Sequence, residues 1–309
     1  MVKKKLKNKN IMLYIVNMKI CVLYLNCHYL EILRYLNLSS MFINEYDIYP
    51  IISYEVINIG YFNDIQIDKL KNSKLLISHN VSDKHGKFSF NNIKNIVDSL
   101  CEIITLTFYR FDGYWYNIEN LVHNHIFLYP KIYIDINILL DNVNEDNYNF
   151  YINKLLDEDI KYKDEYVEKL NSELNNFLIK EKDCSIKMYD YLKENYKKYK
   201  LFVDMDHPSS IFFCQLVKNI LSYLNYDTND IILFNDDMLA IKSIPITNRI
   251  KKSLNLEFDC SQIKYMFIDM TTKQWFEMYL KLNYFSKYKT HNNITTVEEY
   301  TYIFNTEYK

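Results

Sequence analysis

Met18-Lys-Ile-Cys-Val-Leu-Tyr-Leu-Asn26-Cys27-His28-Tyr-Leu-Glu-Ile-Leu-Arg-Tyr-Leu36 reads as a buried strand, a sharp turn and an amphipathic helix. Residues 20–25 form an almost unbroken apolar run, the pattern of a central strand covered on both faces. After the turn, Leu30, Leu33 and Leu36 recur at helical spacing. Asn26, Cys27 and His28 therefore fall between a strand's carboxyl end and a helix's amino end. In open α/β sheets ligands bind there, and the helix dipole favours anions, thiolates among them. The competing reading makes Cys27 a small buried filler, because free cysteines are among the most buried residues.

Outward from this unit the pattern repeats. Residues 46–59 are rich in β-branched and aromatic side chains, broken by Pro50, and predict a second strand with irregular edges. Residues 74–78 predict a short strand that ends in the polar loop 79–86. Residues 88–100 carry helical spacing at Ile93, Ile96, Val97 and Leu100. Residues 101–108 predict another strand, ending in a loop over 109–116 dense in polar and aromatic groups. Strand, helix, strand, helix, strand implies parallel pairing with right-handed crossovers, so both loops emerge on the same edge as Asn26 and Cys27.

Residues 117–140 are apolar and mixed, and His123 and His125 are better read as packing residues than as a metal pair. Residues 141–159 are acidic. A helix over 161–180 places Tyr166, Leu170, Leu174, Phe177 and Leu178 on one face. A further helix is marked by Ile186, Tyr189 and Leu192, so 141–198 reads as a helical insertion. Residues 201–204 predict a strand that joins the parallel sheet and runs into a helix with Pro208 at its first position. His207 then stands at a helix amino end, which favours the neutral form a general base needs. Asp204 and Asp206 are placed to orient its ring. The competing reading of His207 is a capping or packing residue. Residues 225–309 read as helix-rich, with a strand-like piece at 231–234 and a helix over 248–256.

Composition narrows the classes. With 309 residues and 49% hydrophobic content the chain can bury a large core, and a net charge of -2 supplies no field for nucleic acid. The abundance of Lys, Asn, Ile and Tyr beside 3 Gly and 4 Pro has the character of AT-rich coding, so the 30 Tyr carry little functional signal. The six cysteines, at 21, 27, 101, 184, 214 and 260, show no zinc-ligand spacing and no paired motif, as expected of a reducing, cytoplasmic setting. A lysine run followed by residues 11–16 mimics a signal peptide, but Asn17 and Lys19 interrupt it. We expect residues 1–17 to be an extension and 18–309 a single α/β domain. No stretch reaches the roughly 20 apolar residues of a membrane span, so stable membrane insertion is not expected.

Four segments together resemble the WcbI-type family of capsular polysaccharide biosynthesis proteins. Leu25-Asn26-Cys27-His28 is similar to the family's Gly-Asn-Cys-Gln. His79-Asn80-Val81-Ser82-Asp83-Lys84-His85-Gly86 resembles Gln-Pro-Val-Ser-Asp-Arg-His-Gly. Arg110-Phe111-Asp112-Gly113-Tyr114 resembles Tyr-Phe-Asp-Gly-Tyr, and Met205-Asp206-His207-Pro208-Ser209-Ser210 resembles Val-Asn-His-Pro-Thr-Asn. Their order and spacing agree over roughly residues 18–305, while Leu25 and His28 depart from the pattern.

The resemblance implies an SGNH-hydrolase-like three-layer α/β sandwich with a central parallel sheet, which binds coenzyme A and transfers an acetyl group to a sugar hydroxyl of a glycan acceptor. His207 would be the base, with Cys27, Asp204 and Asn26 as the other candidate catalytic residues. His28, Ser82, Asp83, Lys84, His85, Arg110, Asp112 and Tyr114 would face the cofactor, and no metal is expected. Cys27 would either carry the acetyl group or only shape the turn; direct attack by the hydroxyl is the more economical route, because acetyl-coenzyme A is already a thioester. The alternatives are an SGNH-type esterase that uses water, or a non-catalytic glycan- or partner-binding descendant.

Overall fold

The computed structural model describes residues 18–115, 163–240, 243–265, 268–275 and 277. The expected extension 1–17, His123 and His125, and much of the insertion and carboxyl-terminal segment lie outside the described residues. The chain divides into two compact units. One comprises residues 1–113, 168–243 and 256–258, the other 114–167, 244–255 and 259–309.

The first unit is an α/β layer structure. Its elements begin with β1 (Lys19–Leu25), α1 (Tyr29–Leu36), α2 (Ser40–Glu45), β2 (Tyr46–Ile52), α3 (Ser53–Ile59), α4 (Asp64–Lys71), β3 (Ser73–His79), a 3-10 turn (Asp83–Phe88), α5 (Phe90–Lys94) and β4 (Glu102–Leu106). They continue with α6 (Lys163–Lys180), of which residues from 168 onward belong here, then α7 (Tyr189–Asn195) and α8 (Ser210–Tyr223).

The four strands form one parallel sheet in the order β2-β1-β3-β4. β1 is central, and residues 21–25 are fully buried, as an apolar run without alternation requires. β2 is an edge strand, which is why Pro50 can sit inside it without removing a ladder hydrogen bond that the sheet needs. The predicted second strand therefore ends at Ile52, and the residues after it form α3. On one face Val22, Tyr24, Ile51, Leu76 and Ile93 pack together, with Tyr24 donating its hydroxyl to Phe88 O at 2.8 Å. On the β4 edge, Ser185 Oγ accepts from Thr105 N at 3.0 Å and Ser185 N donates to Thr105 O at 3.0 Å, so the 183–186 turn covers groups that would otherwise be unpaired.

The chain leaves β1 for β2 on one side and returns to β3 on the other. The carboxyl ends of β1 and β3 thus flank a topological switch point, the place where loops diverge and leave a crevice. α8 packs against α1 and buries Phe212, Phe213, Leu216, Val217, Ile220 and Leu221.

Three local expectations are corrected. Residues 201–204 do not join the sheet. Phe202 pairs with Pro208 in an isolated antiparallel bridge, and Val203 N and Ser209 N donate to His207 O and Leu201 O, so the segment satisfies its backbone by folding on itself. Pro208 precedes the helix, which starts at Ser210 with Ser209 as N-cap. Residues 231–234 form no strand; Phe234 packs its ring on Tyr35 at 4.9 Å and under the Arg34 guanidinium at 3.6 Å.

In the second unit α9 (Asn248–Leu254) is capped by Thr247, whose hydroxyl accepts from Ile250 N at 3.3 Å. β5 (Gln262–Tyr265) and β6 (Ile268–Thr271) form an antiparallel pair inside a segment expected to be helical. The Trp115 indole donates to Pro245 O at 3.2 Å. Among the described residues, no helix is long and apolar enough to cross a membrane, and no group of three or more His, Cys, Asp or Glu is arranged to hold a metal.

Candidate active site

The turn after β1 and the loop 204–207 meet at the switch point. Cys27 Sγ lies 3.3 Å from His207 Nε2 across 180 residues of sequence. The other ring nitrogen, Nδ1, faces Asp204 Oδ2 at 2.7 Å. Asp204 is buried, and its second oxygen accepts from Asp206 N at 2.8 Å and His207 N at 2.9 Å. Three donors thus fix the carboxylate, the carboxylate fixes Nδ1 as the protonated nitrogen, and Nε2 is left to face the thiol. The three-residue spacing from Asp204 to His207 makes this possible, because the tight loop lets one carboxylate reach both the backbone and the ring.

Burial of the His207 ring opposes a positive charge, but the hydrogen bonds to Asp204 and Cys27 outweigh it and push its pKa up to about 10. These bonds therefore favour the imidazolium over the neutral ring. The sequence-based expectation of a neutral ring at a helix amino end is overturned, because His207 lies in the loop ahead of Pro208 and its charge is set by Asp204 and Cys27.

Asn26 stands at the strand end. Its Oδ1 accepts from His28 N at 3.1 Å, and its backbone N–H approaches His79 Nδ1 at 3.5 Å. His28, expected to face a cofactor, is instead fully buried at the start of α1. Its ring stacks on Phe108 with centroids 5.2 Å apart and meets His79 and Phe213 edge-on at 5.3 and 5.5 Å. Burial holds the His28 pKa well below 6.5, and burial lowers that of His79 to about 3. Two neutral histidines thus stand beside a charged one.

The third loop leaves β4. Phe111 N donates to Met205 O at 2.9 Å, which ties this loop to the His207 loop. Arg110 reaches Asp112 Oδ2 and Asp206 Oδ1, each at 3.2 Å, so its charge is shared between two carboxylates. Burial raises the Asp112 carboxyl, with Arg110 working in the opposite direction. Gly113 is required by close approach, since a Cβ there would lie 2.3 Å from the Phe111 ring. Tyr114 is buried in the second unit, edge-on to Trp115 at 5.6 Å.

Ser82, Asp83, Lys84 and His85 form a separate group after β3. Ser82 Oγ accepts from Lys84 N at 3.4 Å, and Asp83 accepts from the Asn91 side chain at 3.1 Å. Ser82, Asp83 and Lys84 are exposed and His85 is half-buried. Sequence reasoning did not single out His79, Phe108 or Phe213, which line the site. The strand pattern placed His79 at a strand end, but only the fold puts its ring beside His28.

A parallel α/β protein with a Cys–His–Asp arrangement at its switch point is the class that fold and site define. The family model for the polysaccharide biosynthesis enzyme WcbI matches residues 20–229, and the chain belongs to that family. A solved structure of WcbI, reported as the native protein without a disulfide bond between coenzyme A and one of its cysteines, superposes with a TM-score of 0.62. It shares 15% sequence identity, over 89% of this chain and 96% of that one, a likeness of fold. The comparison with curated proteins gives no match.

Proposed function

We propose that this chain transfers an acetyl group from coenzyme A to a hydroxyl of a sugar or glycan during polysaccharide assembly, capsule included, through an acyl-enzyme on Cys27. The observation that carries this reading is the 3.3 Å contact between Cys27 Sγ and His207 Nε2, with Asp204 at 2.7 Å behind the ring. Nε2 is the nitrogen a sugar hydroxyl would need as its base, and Sγ already occupies it. This argues for Cys27 as the first nucleophile, in place of the direct attack favoured on sequence grounds.

The chemistry balances in two steps. Sγ, having given its proton to His207, attacks the thioester carbonyl; the C–S bond to coenzyme A breaks, and His207 protonates the departing thiolate. The sugar hydroxyl then attacks the Cys27 thioester while Nε2 takes its proton, the new C–O bond forms, and Cys27 is released. Acylation also removes the Cys27 hydrogen bond that helps raise the His207 pKa, which makes the ring a better base when the second step needs one. The Asn26 amide, held by its Oδ1 at 3.1 Å from His28 N, is the side chain suited to the developing oxyanion.

Coenzyme A as donor is supported by the solved WcbI structure, reported in relation to coenzyme A, and the sugar by the family's place in polysaccharide biosynthesis. Ser82, Lys84 and His85 are the exposed candidates for its phosphates. The reading includes an SGNH-like domain, in which the same triad would also serve an esterase. Intact-mass analysis after mixing with acetyl-coenzyme A alone tests the proposal. Acetylation that is absent in Cys27→Ser and discharges on addition of acceptor is the expected result. Transfer without acetylation would restore direct attack. No binding heat at millimolar coenzyme A would leave an esterase or a non-catalytic descendant.

A further inference from the structure

We propose that His28 is a positioning residue that sets the Cys27–His207 contact by gripping the peptide unit immediately before His207. His28 Nε2 lies 2.8 Å from Asp206 O, 178 residues away. A carbonyl can only accept, so Nε2 carries the proton. That carbonyl and the His207 N–H belong to one peptide plane, and the N–H is held by Asp204 Oδ1 at 2.9 Å. The plane is therefore pinned at both ends, the oxygen by the residue that follows the thiol and the nitrogen by the carboxylate that orients the ring. With the plane fixed, the His207 Cα and ring have little freedom left, and Nε2 is carried to Sγ.

The surroundings of His28 serve the same end. The ring is fully buried, stacked on Phe108 and edge-on to Phe213 and His79. Its Nδ1 is buried and has no hydrogen-bond partner in the structure. A phenylalanine would pack as well and would strand no nitrogen, so packing alone does not explain a histidine here. The donor to Asp206 O does. The groups facing the ring are the neutral His79 and the charged His207, both of which disfavour a second proton on it.

The test rests on Cys27 and His207 and is read without substrate, so it stands apart from the acyl-transfer proposal. The rate of iodoacetamide alkylation of Cys27, read by peptide mass spectrometry across pH, reports on the thiol–imidazole pair. His28→Phe keeps the ring and loses the donor. We expect its Cys27 profile to shift and, where transfer is assayed, kcat to fall about 10- to 100-fold at little-changed KM, the scale of misplacement by about an ångström. His28→Gln restores an N–H at similar reach and should stay within about threefold of the parent. Ring nitrogen NMR of the parent protein should show the Nε2–H form of His28 throughout the neutral range. The proposal is overturned by an Nδ1–H form, by a parental profile in His28→Phe, or by equal damage in both variants. The NMR result decides it even if His28→Phe fails to fold.

Discussion

The 204–209 loop and the 82–88 loop both follow from motif-like sequence, yet they are built in opposite ways. The first is buried and is held by groups far away in sequence: Cys27 at its ring, His28 at a carbonyl, Phe111 N at Met205 O and Arg110 at Asp206. The second is mostly exposed and, apart from the Tyr24 hydroxyl at the Phe88 carbonyl, is held by its own neighbours, Ser82 to Lys84 and Asp83 to Asn91. Such long-range bonding fixes atoms to the fraction of an ångström that proton transfer needs. Local bonding leaves surface side chains able to follow a ligand. On the proposed function the contrast would divide the labour, with chemistry at 204–207 and recognition at 82–85.

The largest expected effect lies in the first loop. His207→Ala should lower acetyl transfer by about 10²- to 10⁴-fold, the usual cost of losing a general acid–base. Cys27→Ala should fall as far, and the double variant no further, because the two act as a unit. Losses that multiply in steady-state kinetics would break the picture of one coupled pair.

Next comes the carboxylate. Asp204→Asn keeps the shape but removes the charge and can present the wrong hydrogen-bonding group to Nδ1. We expect a loss of about 10²-fold or more and a His207 pKa that drops from about 10 toward its ordinary value. An NMR titration of the ring that leaves the pKa unmoved would show that Asp204 is not what holds the charge.

The histidines also make a stability prediction with opposite signs. For His79 the folded pKa, about 3, lies below the ordinary 6.5. As pH falls below about 6.5 the unfolded chain binds the proton and the folded chain does not. Stability is therefore full above that pH and is lost toward pH 3, at up to about 1.4 kcal/mol per pH unit for such a ring. His28 acts in the same direction. For His207 the folded pKa is raised, so its contribution is complete below 6.5 and fades as pH rises toward 10. Urea midpoints measured across pH should show a shallower acid limb in His79→Phe and a shallower alkaline decline in His207→Phe. An unchanged acid limb in His79→Phe would mean that the ring is not neutral in the folded protein.

The smallest effect belongs to the exposed loop. Lys84→Ala should raise KM for acetyl-coenzyme A about two- to fivefold, leave kcat alone, and matter less as salt screens the phosphates. A kcat effect larger than its KM effect would undo the division between the two loops.

Much of the site was legible before the fold. The apolar run at 20–25 followed by a polar triplet placed Cys27 at a strand end, and the spacing of Asp204 and His207 suggested an oriented imidazole. The parallel pairing of the strands followed from alternating periodicities, though not their order in the sheet. Less legible was 201–204, where a strand-like run closes a small bridge with Pro208, because pairing partners are a tertiary choice. The antiparallel pairing of 262–265 with 268–271 was hidden because their apolar residues fit a helix as readily.

What the sequence by itself determined is therefore local: the buried strand, the turn at Asn26–His28, the Asp204–His207 spacing and the chemical types available. Those depend on periodicity and on side chains a few residues apart. Only the tertiary structure decided which histidine is charged. His28, His79 and His207 carry the same ring and lie in one cluster, with His28 centred 5.3 Å from His79 and 6.3 Å from His207. Burial alone keeps a ring neutral, and a carboxylate at 2.7 Å reverses that. The carboxylate lies three residues from His207, but the burial of the His28 and His79 rings and the Cys27 contact are assembled from residues up to 180 positions apart, and those no local pattern specifies.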